Sequence, residues 1–179
     1  MYAQLLDDAV RTLRGQAPRA DVDPDLNLQV NARIPDEYVP DNQLRLMLYK
    51  RLANANNEEH VINISDEMMD RFGPLPAPLL NLVEAMRIRT LAKALLAQSI
   101  DHSHQQVTIT FHPETPLAVD TIISLVRAPK SRYRVPSDFR LAYVFDAEER
   151  KDTLRAIRTC LQGLTEMAEK RDGNDTENT

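Results

Sequence analysis

Leu26, Leu28, Val30, Ala32 and Ile34 alternate with Asn27, Gln29, Asn31 and Arg33, a period of two that predicts a half-buried strand. Elsewhere the apolar positions recur at helical spacing. Leu5, Leu6, Ala9, Val10 and Leu13 predict an amphipathic helix over residues 2–13. Asp41 is placed to cap a helix running to about Asn54, and further helices are predicted over 58–72, 76–97, 116–126 and 148–167. Pro116 suits the first turn of the helix over 116–126. Residues 106–111 and 139–145 alternate as strands, and 133–135 is expected to pair with the second as a short hairpin.

This order predicts an α+β fold, a small mixed sheet of about three to four strands packed with five to six helices. The strands are too few and too scattered for a doubly wound nucleotide-binding sheet. One domain is expected over 1–169, divided into a helix and linker (1–25) and a core (26–169). Residues 170–179 are polar, contain Gly173 and no apolar side chain, and are expected to be disordered. No capping residue stands ahead of Tyr2, so the chain is expected to be cut from a longer one.

Composition narrows the function. A domain of 179 residues with 42% hydrophobic content has enough material to bury roughly 70% of its unfolded surface. The net charge of −5 argues against a general nucleic-acid-binding module, which normally shows a basic face. The single cysteine, Cys160, excludes an intramolecular disulfide and fits a reducing, cytoplasmic setting; on a helix among apolar residues it is expected to be a buried structural thiol. No apolar run reaches membrane-spanning length, so no membrane contact is expected.

Catalytic chemistry finds no support. The four glycines, Gly15, Gly73, Gly163 and Gly173, form no phosphate-binding loop, so ATP hydrolysis and a nucleotide cofactor are not expected. His102 and His104 stand two apart beside Asp101, short of the three or four ligands a zinc site needs, and are expected to be solvated in a polar loop over 98–106 without a metal. Glu58-Glu59 and Glu148-Glu149 are expected at helix starts, where they complement the macrodipole.

The sharper signal is the run Asp70-Arg71-Phe72-Gly73-Pro74-Leu75-Pro76, which closes one helix and opens another. In the helix before it, Val61, Ile64, Met68 and Phe72 fall on one stripe. Asn63, Asp66, Glu67 and Asp70 fall on the outer face, with Arg71 on its flank. Together with Pro40-Asp41 and Leu46-Met47-Leu48-Tyr49-Lys50-Arg51-Leu52, this run resembles the C-terminal domain of bacterial transcription-repair coupling factors, from about residue 2 to the helix near Leu164.

The resemblance implies a non-catalytic regulatory domain of an ATP-driven DNA translocase that removes stalled RNA polymerase and recruits excision repair. In that family the domain packs against an N-terminal repair-partner module and covers the surface needed by the damage-recognition ATPase. Glu67, Asp70 and Arg71 match the positions that face arginines of that module. Charge-assisted pairs of this kind suit a reversible lock, because they orient the partners and weaken with salt.

A second reading rests on Arg127, Lys130, Arg132, Arg134 and Arg140, interleaved with Tyr133 and Phe139. Lys130, Arg132 and Arg134 are candidate phosphate contacts, with the rings available to stack. Arginines on the solvent face of a hairpin give the same pattern without a ligand.

Overall fold

The computed structural model describes residues 21–174, with side chains to 170; the helix expected over 2–13 lies outside them. Asp41 opens the first described helix, α1 (Asn42–Ala53), by accepting from the backbone N–H groups of Gln43 and Leu44 at 2.8 and 3.0 Å. Asn57 caps α2 (Glu58–Phe72) through the N–H of His60. Gly73, at φ 87°, ends it, and α3 (Ala77–Ala94) begins one turn later with prolines at its start. Two further helices follow, α4 (Val119–Arg127) and α5 (Thr153–Asn174).

One sheet of five strands runs beside them. Its strands are β1 (Asp25–Asn27), β2 (Ala97–His102), β3 (Gln106–Phe111), β4 (Tyr133–Ser137) and β5 (Arg140–Val144). They lie in the order β1-β2-β3-β5-β4, with β1 parallel to β2 and the remaining pairs antiparallel. The α+β architecture with a mixed sheet is therefore as the sequence predicts, with one strand more.

The extra strand is β2, which replaces most of the polar loop expected over 98–106. Its apolar residues Ala97 and Ile100 stand three apart, a spacing that fits no strand. A register shift sets Ala97 opposite Phe111 but Ser99 opposite Thr110. That irregularity returns Ala97 and Ile100 to one buried face. The strand predicted over 26–34 is shortened instead. Pairing stops at Asn27, and Gln29 takes a left-handed φ of 54°. The alternation still sorts burial, for Leu28 and Ile34 are buried. Backbone groups beyond β1 are satisfied elsewhere: Arg33 N–H donates to Pro78 O, Ile34 N–H to the Tyr49 hydroxyl, and Asn31 O accepts from Asn81.

α4 starts three residues after Pro116. Thr115 donates to Leu95 O at 2.8 Å and His112 N–H to Leu96 O at 2.8 Å, so this segment is tied to the end of α3 before the helix can begin. The final helix also differs from expectation. Glu149–Lys151 is a separate 3-10 turn, and α5 continues past Met167 to Asn174.

Two cores share α3. One lies under the sheet, where Ile100, Val107, Ile109, Phe111, Leu141 and Tyr143 meet Ile88 and Leu91 of α3, its capping residue Leu95, and Ile157, Leu161 and Leu164 of α5. The other joins the helices, with Leu48 and Leu52 of α1, Val61 and Met68 of α2, and Leu79 and Leu82 of α3. An ion network bridges them. Arg87 contacts Glu58 and Glu84 at 3.0 and 2.9 Å, Arg158 contacts Glu84 at 2.7 Å, and Gln162 donates to Glu58 at 2.9 Å. Glu58 thus ties α2 to α3 and α5, beyond the dipole role expected of it.

Candidate interdomain interface

Helix α2 is amphipathic as its spacing predicts. Val61, Ile64 and Met68 are buried, while Asn63, Asp66, Asp70 and Arg71 are exposed. Its C-terminal end is fixed from outside. Gly73 N–H donates to Met69 O at 2.9 Å, and the Tyr38 hydroxyl lies 3.0 Å from Met68 O and 2.7 Å from Gly73 O. The rings of Tyr38 and Phe72 meet edge to face at 5.7 Å. The helix end and the following turn are therefore one rigid unit.

The three candidate residues there have different settings. Glu67 is half-buried and forms a two-pronged pair with Arg51 of α1, Nη1 to Oε1 at 3.0 Å and Nη2 to Oε2 at 2.6 Å. Arg71, one turn on, reaches Glu67 Oε1 at 3.2 Å, and its guanidinium lies 5.1 Å from the Phe72 ring centroid. The hydrogen bonds from Arg51, with Arg71 adding to them, hold the Glu67 carboxyl below the usual carboxylate range. Asp70 is exposed and forms no ion pair or hydrogen bond among the described residues. So one carboxylate is already bound within the domain, and the next is presented outward.

Arg51 and Tyr38 were not legible as site residues. Both act across separations, 16 residues to Glu67 and 35 to Gly73, that no local period encodes. Beside Arg51 an open groove of about 480 Å³ runs between α1 and α2, lined by Met47, Lys50, Asn54, His60 and Ile64. Leu46, Met47, Ile62 and Met69 remain exposed on these two helices, so the outer surface is mixed rather than purely acidic.

The basic strip is divided. Arg132 is bound to Asp146 at 2.9 Å and to Glu149, and lies 4.8 Å from the Tyr143 ring centroid. Glu149 also accepts from the Tyr143 hydroxyl at 2.8 Å, which makes this carboxylate a structural anchor. Lys130 and Arg134 are exposed without a described ion-pair partner, Lys130 in a left-handed turn at φ 58°. His102 corrects the expectation of two solvated loop histidines. It sits on β2, with Nδ1 2.9 Å from Leu28 O and its ring 5.9 Å from that of Phe145. No group of three potential metal ligands occurs among the described residues. Cys160 is buried, as its helix predicts, and burial pushes its thiol up to about 12.

The family model described as the TRCF domain matches residues 28–122, which contain α1, α2, α3, β2 and β3. This chain belongs to the TRCF domain family. Transcription-repair-coupling factors of Myxococcus xanthus and Escherichia coli are 32% and 30% identical to it over 169 and 173 residues, in each case 94% of this chain. The chain spans only 14% and 15% of those relatives' lengths. A solved structure, the C-terminal domain of a transcription-repair coupling factor, superposes with a TM-score of 0.71 at 22% identity, covering 85% of this chain and 98% of that one. The TRCF fold is thereby shared. No helix among the described residues is long and apolar enough to cross a membrane.

Proposed function

We propose that this TRCF domain is a non-catalytic regulatory clamp within a longer, cytoplasmic transcription-repair coupling protein. It closes on that protein's N-terminal repair-partner module and masks the surface used by the damage-recognition ATPase of excision repair. The parent motor would act on DNA and on stalled RNA polymerase, and opening of the clamp would follow that engagement. The clamp is a two-state element whose closed form the acidic helix favours.

The observation that carries this reading is the division of labour on α2. Glu67 is held by Arg51 and Arg71, and Asp70 stands exposed one turn from a helix end fixed by Tyr38. A carboxylate on a rigid support loses little conformational freedom when it pairs, which favours an orienting contact with an arginine. Because Asp70 is solvent-exposed, the contact is salt-sensitive and reversible, as a lock that opens must be. Arg51, Glu67 and Arg71 act as positioning residues in this scheme.

Calorimetric titration of this domain against the separated N-terminal module tests the reading. Binding that weakens with salt and falls about tenfold or more in Asp70→Arg is expected. Unchanged binding in Asp70→Arg, with the domain folded, would remove the acidic helix from the lock.

A further inference from the structure

Two aromatic residues interleave the basic strip, and the fold treats them oppositely. Tyr133 packs inward, its ring 4.9 Å from that of Tyr143 and its hydroxyl 3.7 Å from Cys160 Sγ. Phe139 is 53% exposed and occupies the β4–β5 turn at φ 57°. A bulky side chain in the left-handed region crowds its own backbone, and glycine or asparagine would fill this turn at lower cost. The strained conformation is held by its carbonyl, which accepts from Phe111 N–H at 2.8 Å. Strain kept at an exposed position points to use of the side chain.

Phe139 stands in the turn between two strands that each carry an arginine, Arg134 on β4 and Arg140 on β5. Arg134 lies opposite Ala142, and Arg140 opposite Thr110. Both arginines therefore share the sheet face of Thr108 and Thr110, opposite to the core side chains Leu141 and Tyr143. Both are exposed and unpaired among the described residues. Farther across the same face Asp101 is held by Asn27 and Ser99, each at 2.7 Å, so the face runs from negative at β2 to positive at β5 and β4.

We propose that Phe139, Arg134, Arg140 and Thr110 form a surface for single-stranded nucleic acid. Phe139 offers a ring on which an unpaired base stacks, the two guanidinium groups take adjoining phosphates, and the Thr110 hydroxyl donates to the backbone between them. Asp101 repels phosphates and confines the strand to the β5–β4 side. An exposed ring in the turn between two arginine-bearing strands suits a ligand that offers both bases and phosphates, whereas an acidic peptide would use the arginines alone. Arg132, already paired with Asp146 and Glu149, takes no part. The chain's net charge of −5 keeps the affinity low and the salt dependence steep.

Fluorescence anisotropy with a labelled oligothymidine of about 15 nucleotides, at low ionic strength, tests this. Binding is expected to weaken with each increment of salt and to disappear in Arg134→Glu/Arg140→Glu. Phe139→Gly should lower affinity about tenfold while the thermal midpoint stays unchanged or rises, because glycine accepts the positive φ. Phe139→Tyr should bind as the parent chain does. Absence of binding by the folded domain, or equal binding by Phe139→Gly, overturns the proposal. So does equal affinity for a duplex, which offers no unpaired base. Tighter binding of a polyglutamate peptide, indifferent to Phe139→Gly, would assign the surface to an acidic protein partner instead.

Discussion

The Tyr38 hydroxyl sits 2.7 Å from the carbonyl of Gly73, 35 residues away, and 3.0 Å from that of Met68. The phenolic hydroxyl thus reaches one carbonyl in the last turn of α2 and one just past its end, where backbone acceptors lack helical partners. The same contact anchors the last turn of α2, which carries Asp70.

Tyr38→Phe should therefore loosen the helix end while keeping the ring contact with Phe72. We expect a loss of about 1–2 kcal/mol in urea-induced unfolding, for one partly buried hydrogen-bonding group. Hydrogen exchange should accelerate at residues 69–73 before it changes in α3. If the site reading holds, affinity for the N-terminal module falls as well, although Tyr38 need not touch that partner.

Arg87→Ala should be among the most destabilising substitutions of a charged residue in this domain. It would leave Glu58 without its arginine and Glu84 with only Arg158, both carboxylates being about three-quarters buried. The expected cost is about 2–4 kcal/mol by equilibrium denaturation. Arg158→Ala should be less harmful alone. The pair should be non-additive, since both arginines act on Glu84.

Acid should destabilise the fold through Glu67 and Asp146. The Arg51 hydrogen bonds lower the first, and the backbone N–H groups of Glu149 and Glu148, with Arg132, lower the second. A carboxyl lowered in the folded state binds its proton more weakly there than in the unfolded chain. Its contribution is complete above its ordinary value, 4.5 for Glu67 and 3.8 for Asp146, and is lost as pH falls through the lower folded value. Urea midpoints followed from neutral pH to about pH 3 should decline, and Glu67→Gln should flatten the upper part of that decline.

Cys160 should report global opening. It is buried, and burial raises its thiol from the ordinary 9.0 to about 12. A maleimide reagent at neutral pH should modify it on the timescale of unfolding and at once in denaturant. Rapid modification of the folded domain would show that α5 opens locally.

Much of the local framework was legible. Asp41 as a cap, α2 from Glu58 to Phe72, and β3 from Gln106 to Phe111 are encoded by neighbours within a few residues, and the structure reproduces them. Where the reading failed, a distant group decided. β2 carries too few apolar residues to announce itself, and it exists because β3 and β1 pair with it on either side. Residues 28–34 alternate like a strand but lack a strand partner, and spend their backbone groups on Pro78, Asn81 and Tyr49 instead.

The site divides in the same way. By itself the sequence determined the α+β class, the amphipathic face of α2, its stop at Gly73, and the placing of Glu67 and Asp70 on the outer side, all consequences of helical period and turn chemistry. Only the tertiary structure decided that Arg51 captures Glu67 while Asp70 stays exposed, and that Arg132 is bound internally while Arg134 and Arg140 are not. The reason is physical. Period and propensity act over a few residues, whereas an ion pair is set by whichever side chains packing brings within about 4 Å, at whatever distance along the chain.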